Sequence, residues 1–405
     1  MDNIILFDDS SRDALLPLTF TRPVCDLRVG ILTIREKWRL MLSGKISFIT
    51  QDYLSEQFPI HYEDENLVIN GSVLPSPQLC RLISQLEQNE ALLKDGELIA
   101  AKMNRKQFEH LMKEDEDIEE LSGFEVGETP FLKINQLWDI FLYNDEAIRQ
   151  DFALLTEGRT SQPISATNQV LGAENIFLEE GAKVECATLN ATTGPIYLAK
   201  DAEIMEGSLV RGGLALCEGA KLKLGTKIYG ATTIGPYSKV GGEISNSVLT
   251  GYSNKGHDGY LGNSVIGEWC NLGAGTNNSN LKNNYAEVRV WNYTSNSFAK
   301  TDQQFCGLIM GDHSKCGINT MFNTGTVVGV FANVFGAGFP RNFIPSFAWG
   351  GARGFSTYTV NKAFEVAERV MARRKKDFTT LDQQVLTKVS ELTSEYRVWD
   401  KQQDS

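Results

Sequence analysis

The sequence predicts an α/β domain, then a parallel β-helix, then C-terminal helices. Three observations carry this. Leu198, Ile204, Val210, Leu216, Leu222, Ile228, Ile234 and Val240 fall six residues apart without a miss. A six-residue period fits neither a helix nor a simple strand, but it fits hexapeptide coils in which each hexad forms one flat face. Before this ladder, short aliphatic runs alternate with helically spaced segments. After it, Phe364, Ala367, Val370 and Met371, then Leu381, Val385, Val389 and Leu392, form apolar stripes at helical spacing. The expected division is an α/β domain over 1–160, a linker over 161–170, the β-helix over 171–352 and a helical segment over 353–405.

In the first domain, Asn3-Ile4-Ile5-Leu6-Phe7 reads as a buried strand ending in Asp8-Asp9-Ser10-Ser11. A helix is expected within Gly30 to Met41, strands at Lys45 to Thr50 and Asn66 to Asn70, and a helix from Pro77 to Leu93. Leu98 to Ala101 reads as a strand. Acidic residues at 114–120 read as a solvated segment, and Leu137 to Leu155 as a helix. The polar run Thr156 to Asn168 reads as a linker.

In the β-helix the hexad phase is lost at Asn246, and Tyr252 to Tyr260 reads as a loop projecting from a coil. Ile266 and Leu272 resume it. A second series, Met310, Cys316, Phe322, Val328 and Val334, follows a polar stretch. Thr380 with Gln383 fits a capping box in the terminal helices. Arg373-Arg374-Lys375-Lys376 reads first as a solvated helix face, with contact to a substrate phosphate as the alternative.

Composition limits the function. A net charge of −12 argues against a general nucleic-acid binder. No run of 18 apolar residues predicts a membrane span, and Met1-Asp2-Asn3-Ile4 lacks a signal pattern. The seven cysteines form no C-x-x-C pair, which favours reduced, buried thiols and a cytoplasmic location. A zinc centre of three histidines lacks its third ligand, because only His257 and His313 lie in the β-helix.

The projecting loop holds the chemistry. Gly256-His257-Asp258-Gly259-Tyr260-Leu261-Gly262 is followed by Ile266-Gly267, by Asn271-Leu272-Gly273-Ala274-Gly275-Thr276, and by Asn280. This segment resembles the acetyltransferase half of the bifunctional N-acetylglucosamine-1-phosphate uridyltransferase/glucosamine-1-phosphate acetyltransferase family, with every spacing reproduced over about 25 residues. The resemblance implies a left-handed β-helix, a homotrimer with sites between subunits, and acetyl-CoA as acyl donor. It implies His257 as general base, Tyr260 and Asn271 on the sugar phosphate, and Asn280 near the reacting amine. An imidazole suits that task, because the amine must lose its proton as it attacks the thioester. Gapless extension places Glu243 as the acidic partner of His257. It also puts Ser245 where the family has a phosphate-binding lysine, and Leu281 where it has a tyrosine. Lys255, Lys282 and Arg211 are the candidate replacement cations.

Near the N-terminus, Arg12, Leu16-Pro17-Leu18-Thr19, Pro23 and Gly30 resemble the opening of sugar-1-phosphate nucleotidyltransferases. In that family a Gly-rich loop approaches the nucleotide and its Arg grips the triphosphate. Here Asp8-Asp9-Ser10-Ser11 replaces the glycines, and Asn70-Gly71-Ser72 stands where the family has Asn-Gly-Asp, whose Asp binds magnesium. Arg12, Arg22, Arg28 and Asn70 are the candidate nucleotide-binding residues. A Mg²⁺ site built from Asp8, Asp9 and Asp13 remains an open alternative. The implied substrates are an amino-sugar phosphate such as glucosamine-1-phosphate, acetyl-CoA and UTP. Acyl transfer to another amino-sugar nucleotide, and non-catalytic binding of sugar nucleotides, are the rival readings.

Overall fold

The computed structural model describes residues 2–107 and 121–400, so the acidic run at 114–120 lies outside the described residues. The chain forms two compact units that do not follow chain order. One comprises Met1–Leu15, Arg22–Leu27 and Leu32–Gln136; the other comprises Leu16–Thr21, Arg28–Ile31 and Leu137–Ser405. Three stretches from within the expected first domain therefore pack with the β-helix: the Pro-Leu-Thr block, the turn at Gly30 and the helices after Leu137.

The first unit is a six-stranded mixed sheet. Asp2–Phe7 pairs in parallel with Gly44–Ile49 and Glu65–Asn70, and Glu65–Asn70 pairs antiparallel with Glu97–Asn104. Ile5, Val68, Ala91, Ala101 and Met103 form a core on this sheet. The predicted strands are present. The helix expected from Pro77 to Leu93 stops at Ser84, and Glu90–Lys94 is instead a strand paired with Glu97–Asn104. The helix cannot continue through Asn89, whose φ is +71°.

The second unit is a parallel β-helix with three sheet faces. All eight ladder residues are buried. Leu216 lies opposite both Leu198 and Ile234, Leu222 opposite both Ile204 and Val240, and Val210 opposite Ile228. One coil is therefore 18 residues, or three hexads, and between Leu198 and Val240 each face stacks an aliphatic row. Burial of such side chains contributes about 1.5–3 kcal/mol each. The second series from Met310 to Val334 is buried in the same way.

The loss of phase has a simple cause. Neighbouring coils take four residues between Leu222 and Lys227, and again between Leu272 and Asn277, but only Gly241-Gly242 separates Val240 from Glu243. Ile244 thus reaches the row of Ile228 two residues early. The expected loop over Tyr252 to Tyr260 shrinks accordingly. Asn254–Lys255 and Tyr260–Gly262 are strands, leaving 256–259 as the corner.

Another corner is lined by rings. Tyr237, Tyr252, Trp269, His313, Phe331 and Phe347 all have φ of 53–60°. Each such residue costs about 1–2 kcal/mol of backbone strain. Stacking offsets part of it: Tyr252 and Trp269 stack at 4.3 Å, and His313 and Phe331 at 4.5 Å.

Gly30 (φ +85°) is part of this unit. Its N–H donates to Asn144 Oδ1 at 2.8 Å, and the next N–H, of Ile31, donates to Asp151 Oδ2 at 2.7 Å. A Cβ on Gly30 would meet Asp151 Oδ2 at 2.5 Å and the Ala147 backbone at 2.8 Å. The helix expected from Gly30 therefore begins only at Ile34, capped by Thr33 and Glu36. The helix expected over Leu137 to Leu155 is two, Asp139–Leu142 and Asn144–Thr156. The expected linker is pinned to the first coil: Gln162 N–H donates to the Leu178 carbonyl at 2.8 Å. At the C-terminus the capping box is Thr379 with Asp382, one residue before the expected pair, because Thr379 has the extended backbone a cap requires.

Candidate functional site

The corner Gly256-His257-Asp258-Gly259 sits on the shortened corner of the coil before it. A Cβ on Gly241 would meet the Gly256 carbonyl oxygen at 2.8 Å, and one on Gly242 the Gly259 carbonyl oxygen at 2.7 Å. Two glycines in the short corner are what let the loop settle there. The loop is held on its other side by the Gly275 N–H, which donates to the Asp258 carbonyl at 2.9 Å. His257 is exposed on this corner.

His257 lines a groove of about 760 Å³ together with Asn271, Lys223, Lys239, Arg373 and Arg374. Among the described lining residues there are five cationic side chains, Lys315 being the fifth, and no carboxylate. This stands out in a chain of net charge −12. Burial holds the Lys239 ammonium below the usual lysine range, and repulsion from Arg374, Lys221, Lys223 and Arg373 adds to it. The groove thus concentrates positive potential at a low-dielectric wall, the arrangement that attracts a multiply charged anion. Arg373 and Arg374 line this groove, rather than being only the solvated helix face of the first reading.

The other predicted residues form a second group. Glu243 accepts a hydrogen bond from the Tyr229 hydroxyl at 2.6 Å. Both line a separate cleft with Arg211 and Lys227. The Tyr260 hydroxyl accepts from Asn280 Nδ2 at 2.9 Å, and the same nitrogen donates to Asn263 Oδ1 at 2.8 Å. Burial is the largest influence raising the Tyr260 phenol pKa, and the charge of Glu243 adds to it. The expected pairing of Glu243 with His257 is therefore not present within one chain. Glu243 is committed to Tyr229, because its strand faces outward on a different sheet. Lys282 stands apart from both groups and donates to the Glu287 carbonyl at 2.7 Å.

Lys255 is a correction. Expected to supply charge to the substrate, it lies inside the coil at 1% exposure, opposite Val240 in the inward row of Ile204 and Leu222. Its ammonium donates to the carbonyls of Gly241 (3.0 Å) and His257 (2.7 Å). Burial pulls its pKa down to about 8, with Asp258 and Cys316 opposing.

Arg28 is another. It is buried in the β-helix unit, where its guanidinium donates to the Thr250 carbonyl at 3.2 Å and to the Ile31 carbonyl. Those bonds turn it into a brace rather than a phosphate ligand. His313 stacks between Trp269 and Phe331, a structural position in the ring ladder.

In the first unit Arg12 pairs with Asp13 at 2.7 Å and donates to the Tyr53 hydroxyl at 2.7 Å. Arg22 is buried in the same unit. Asn70 donates to Asp9 Oδ2 at 2.8 Å, and Lys133 Nζ reaches the same oxygen at 2.9 Å. Ser11 donates to Asp9 Oδ1. Asp8 accepts from the Val24 N–H (2.8 Å) and from Thr50 Oγ1 (2.6 Å). Burial pushes the Asp8 carboxyl up to about 6, against those bonds and the charge of Arg12. Burial works against ionisation of Asp9 too, but its bonds from Ser11, Asn70 and Lys133 win and hold it below the usual range. Ser72, at the family's magnesium-ligand position, is fully buried and donates to Asn70 Oδ1 at 2.6 Å. Every oxygen of Asp8 and Asp9 thus has a donor. Among the described residues no group of three or more His, Cys, Asp or Glu is arranged to hold a metal ion. These residues do not fit the alternative of a Mg²⁺ site built from Asp8, Asp9 and Asp13.

Comparisons with known proteins add to this geometry. Residues 4–160 match the family described as sugar nucleotidyl transferase. The chain is 28% identical over 144 residues to a bifunctional sugar-1-phosphate nucleotidylyltransferase/acetyltransferase of Sulfurisphaera tokodaii, covering 35% of each chain. It is 36% identical over 87 residues to the bifunctional protein GlmU of Methanocaldococcus jannaschii, covering 22% of this chain and 21% of that one. The matched region thus spans about a third or less of these curated relatives. Among solved structures, the polySia-specific acetyltransferase NeuO aligns over 52% of this chain and 99% of its own, at 12% identity and a TM-score of 0.28. The relatives are transferases.

Proposed function

We propose that this chain, a sugar nucleotidyl transferase domain followed by a parallel β-helix, transfers an acetyl group from acetyl-CoA to the amine of an amino-sugar phosphate, with glucosamine-1-phosphate the first acceptor to test. One observation carries the reading: His257 stands at the edge of a groove lined by Lys223, Lys239, Arg373 and Arg374 and by no described carboxylate. A phosphate-rich acyl donor suits that groove, and an imidazole beside it suits a reacting amine. In the reaction the amine nitrogen attacks the thioester carbonyl. The nitrogen–carbon bond forms as the carbon–sulfur bond breaks. The imidazole takes the amine proton and the coenzyme leaves as a thiolate, which is then protonated.

Asn271 lies in the groove with His257 and is assigned to the acceptor phosphate. Tyr260, Asn280 and Glu243 lie on the neighbouring face. Assembly as a homotrimer, with that face and the groove meeting across copies, belongs to the same reading, as does a cytoplasmic location. The proposed product is the N-acetylated sugar phosphate, a precursor in synthesis of UDP-N-acetylglucosamine or a related sugar nucleotide.

The test offers acetyl-CoA with a panel of amino-sugar phosphates and amino-sugar nucleotides and follows release of the coenzyme thiol. Glucosamine-1-phosphate is expected to be consumed. His257→Ala is expected to slow turnover by about 10²–10⁴, the usual contribution of a general base. Unchanged turnover in that variant refutes the assignment.

A further inference from the structure

A lysine occupies a position that the fold reserves for aliphatic side chains. The inward row on this face runs through Ile204, Leu222 and Val240, and the next member is Lys255. Its stem is buried and its ammonium spans two backbone carbonyls, one on each side of the loop seam. Gly241 belongs to the shortened corner, and His257 to the corner that rests on it. A lysine without a task in such a row is costly, because charge leaves water for an apolar coil. A Met or Leu would fill the same row without that cost. The ammonium is therefore placed for what it joins.

We infer that Lys255 is the positioning residue of the catalytic corner, fixing the His257 backbone to the coil beneath so that the imidazole is held at the groove. This inference rests on the proposed role of His257. The geometry is specific. Gly241 and Gly242 remove the side chains that would lift the corner, and Lys255 supplies the bond that ties it down. The corner's backbone carbonyls at Asp258 and Gly259 accept from the Gly275 and Glu243 N–H groups, whereas the His257 carbonyl accepts from Lys255. The titratable groups that face the ammonium are Asp258 on the same corner and the thiol of Cys316, further along the same inward row.

Lys255→Met tests this in two independent ways. In hydrogen–deuterium exchange on the full chain, the Glu243 N–H, which donates to Gly259, and the Tyr260 N–H, which donates to Asn277, report seating of the corner. Both are expected to exchange at least tenfold faster in the variant, while the Leu249 and Ile266 amides keep their protection. Unchanged exchange at Glu243 and Tyr260 overturns the inference whatever the activity. Loss of protection at Leu249 and Ile266 as well overturns it too, because Lys255 would then support the coil rather than the corner.

The second test is a kinetic cycle with His257→Ala. Lys255→Met alone is expected to lower kcat by about tenfold or more with KM for acetyl-CoA little changed. In the His257→Ala background it is expected to have no further effect, as befits a residue acting only through His257. Equal losses in both backgrounds overturn the positioning role. If His257→Ala leaves turnover intact, the functional reading fails instead, and the exchange result still decides whether Lys255 seats the corner.

Discussion

Replacing Lys255 by Met is expected to change how the stability of the β-helix depends on pH. In the unfolded chain a lysine titrates near 10.5, and within the coil burial brings Lys255 to about 8. Below pH 8 both states hold the proton. Between pH 8 and 10.5 the unfolded chain holds more of it, so the folded state gains stability as pH rises. The gain is about 1.4 kcal/mol per pH unit, roughly 3 kcal/mol over the interval. Wild type should therefore gain about that much relative to Lys255→Met between pH 7 and pH 10.5. Comparing the two proteins cancels the groups they share that lie away from Lys255; Asp258 and Cys316, which interact with its ammonium, do not cancel. The assay is urea unfolding at pH 7, 8, 9 and 10, followed by labelling of the buried thiols of Cys270 and Cys316. A difference between wild type and variant that stays flat across this range refutes the buried-ammonium argument. A difference that shifts the other way, with wild type losing ground as pH rises, refutes it as well.

Three further outcomes are expected. Arg373→Glu combined with Arg374→Glu should raise KM for acetyl-CoA by roughly tenfold or more, since each charge-assisted bond to phosphate contributes about 1.5–3 kcal/mol; an unchanged KM at low salt would remove the groove from donor binding. Gly30→Ala should destabilise the β-helix unit by about 3 kcal/mol, combining left-handed backbone strain with displacement of the Asp151 carboxylate from the Ile31 N–H; thermal unfolding within 0.5 kcal/mol of wild type counts against the close-approach reading. In the first unit, UTP with N-acetylglucosamine-1-phosphate and magnesium should release no pyrophosphate, because Arg12 and Lys133 are already paired with Asp13 and Asp9; sustained release in the wild type, lost in Arg12→Ala, would show that these pairs open for a triphosphate.

The β-helix was legible from Leu198 to Val240 because inward residues on a coil recur at a fixed interval, and burial leaves no freedom in their type. The candidate site was legible for a different reason: His257, Tyr260, Asn271 and Asn280 keep the spacing of the family they resemble, and that spacing is local. What spacing could not supply was register across the break. Gly241-Gly242 looks like any glycine pair until its coil is seen to lack two residues. Only then does Lys255 move from a loop cation beside His257 to an inward position under it. Arg28 shows the same limit, since its residue type suggests a phosphate and its guanidinium donates to the carbonyls of Thr250 and Ile31. Arg373 and Arg374 show the converse, a plain basic run at the end of a helix that the fold brings to the groove of His257.

The sequence by itself therefore determined the repeat and pointed to the residues of the candidate site, since each depends on residue type and short-range spacing. Only the tertiary structure decided which charges are buried, which are paired and which face the groove. Those properties depend on neighbours that lie one coil, or hundreds of residues, away along the chain.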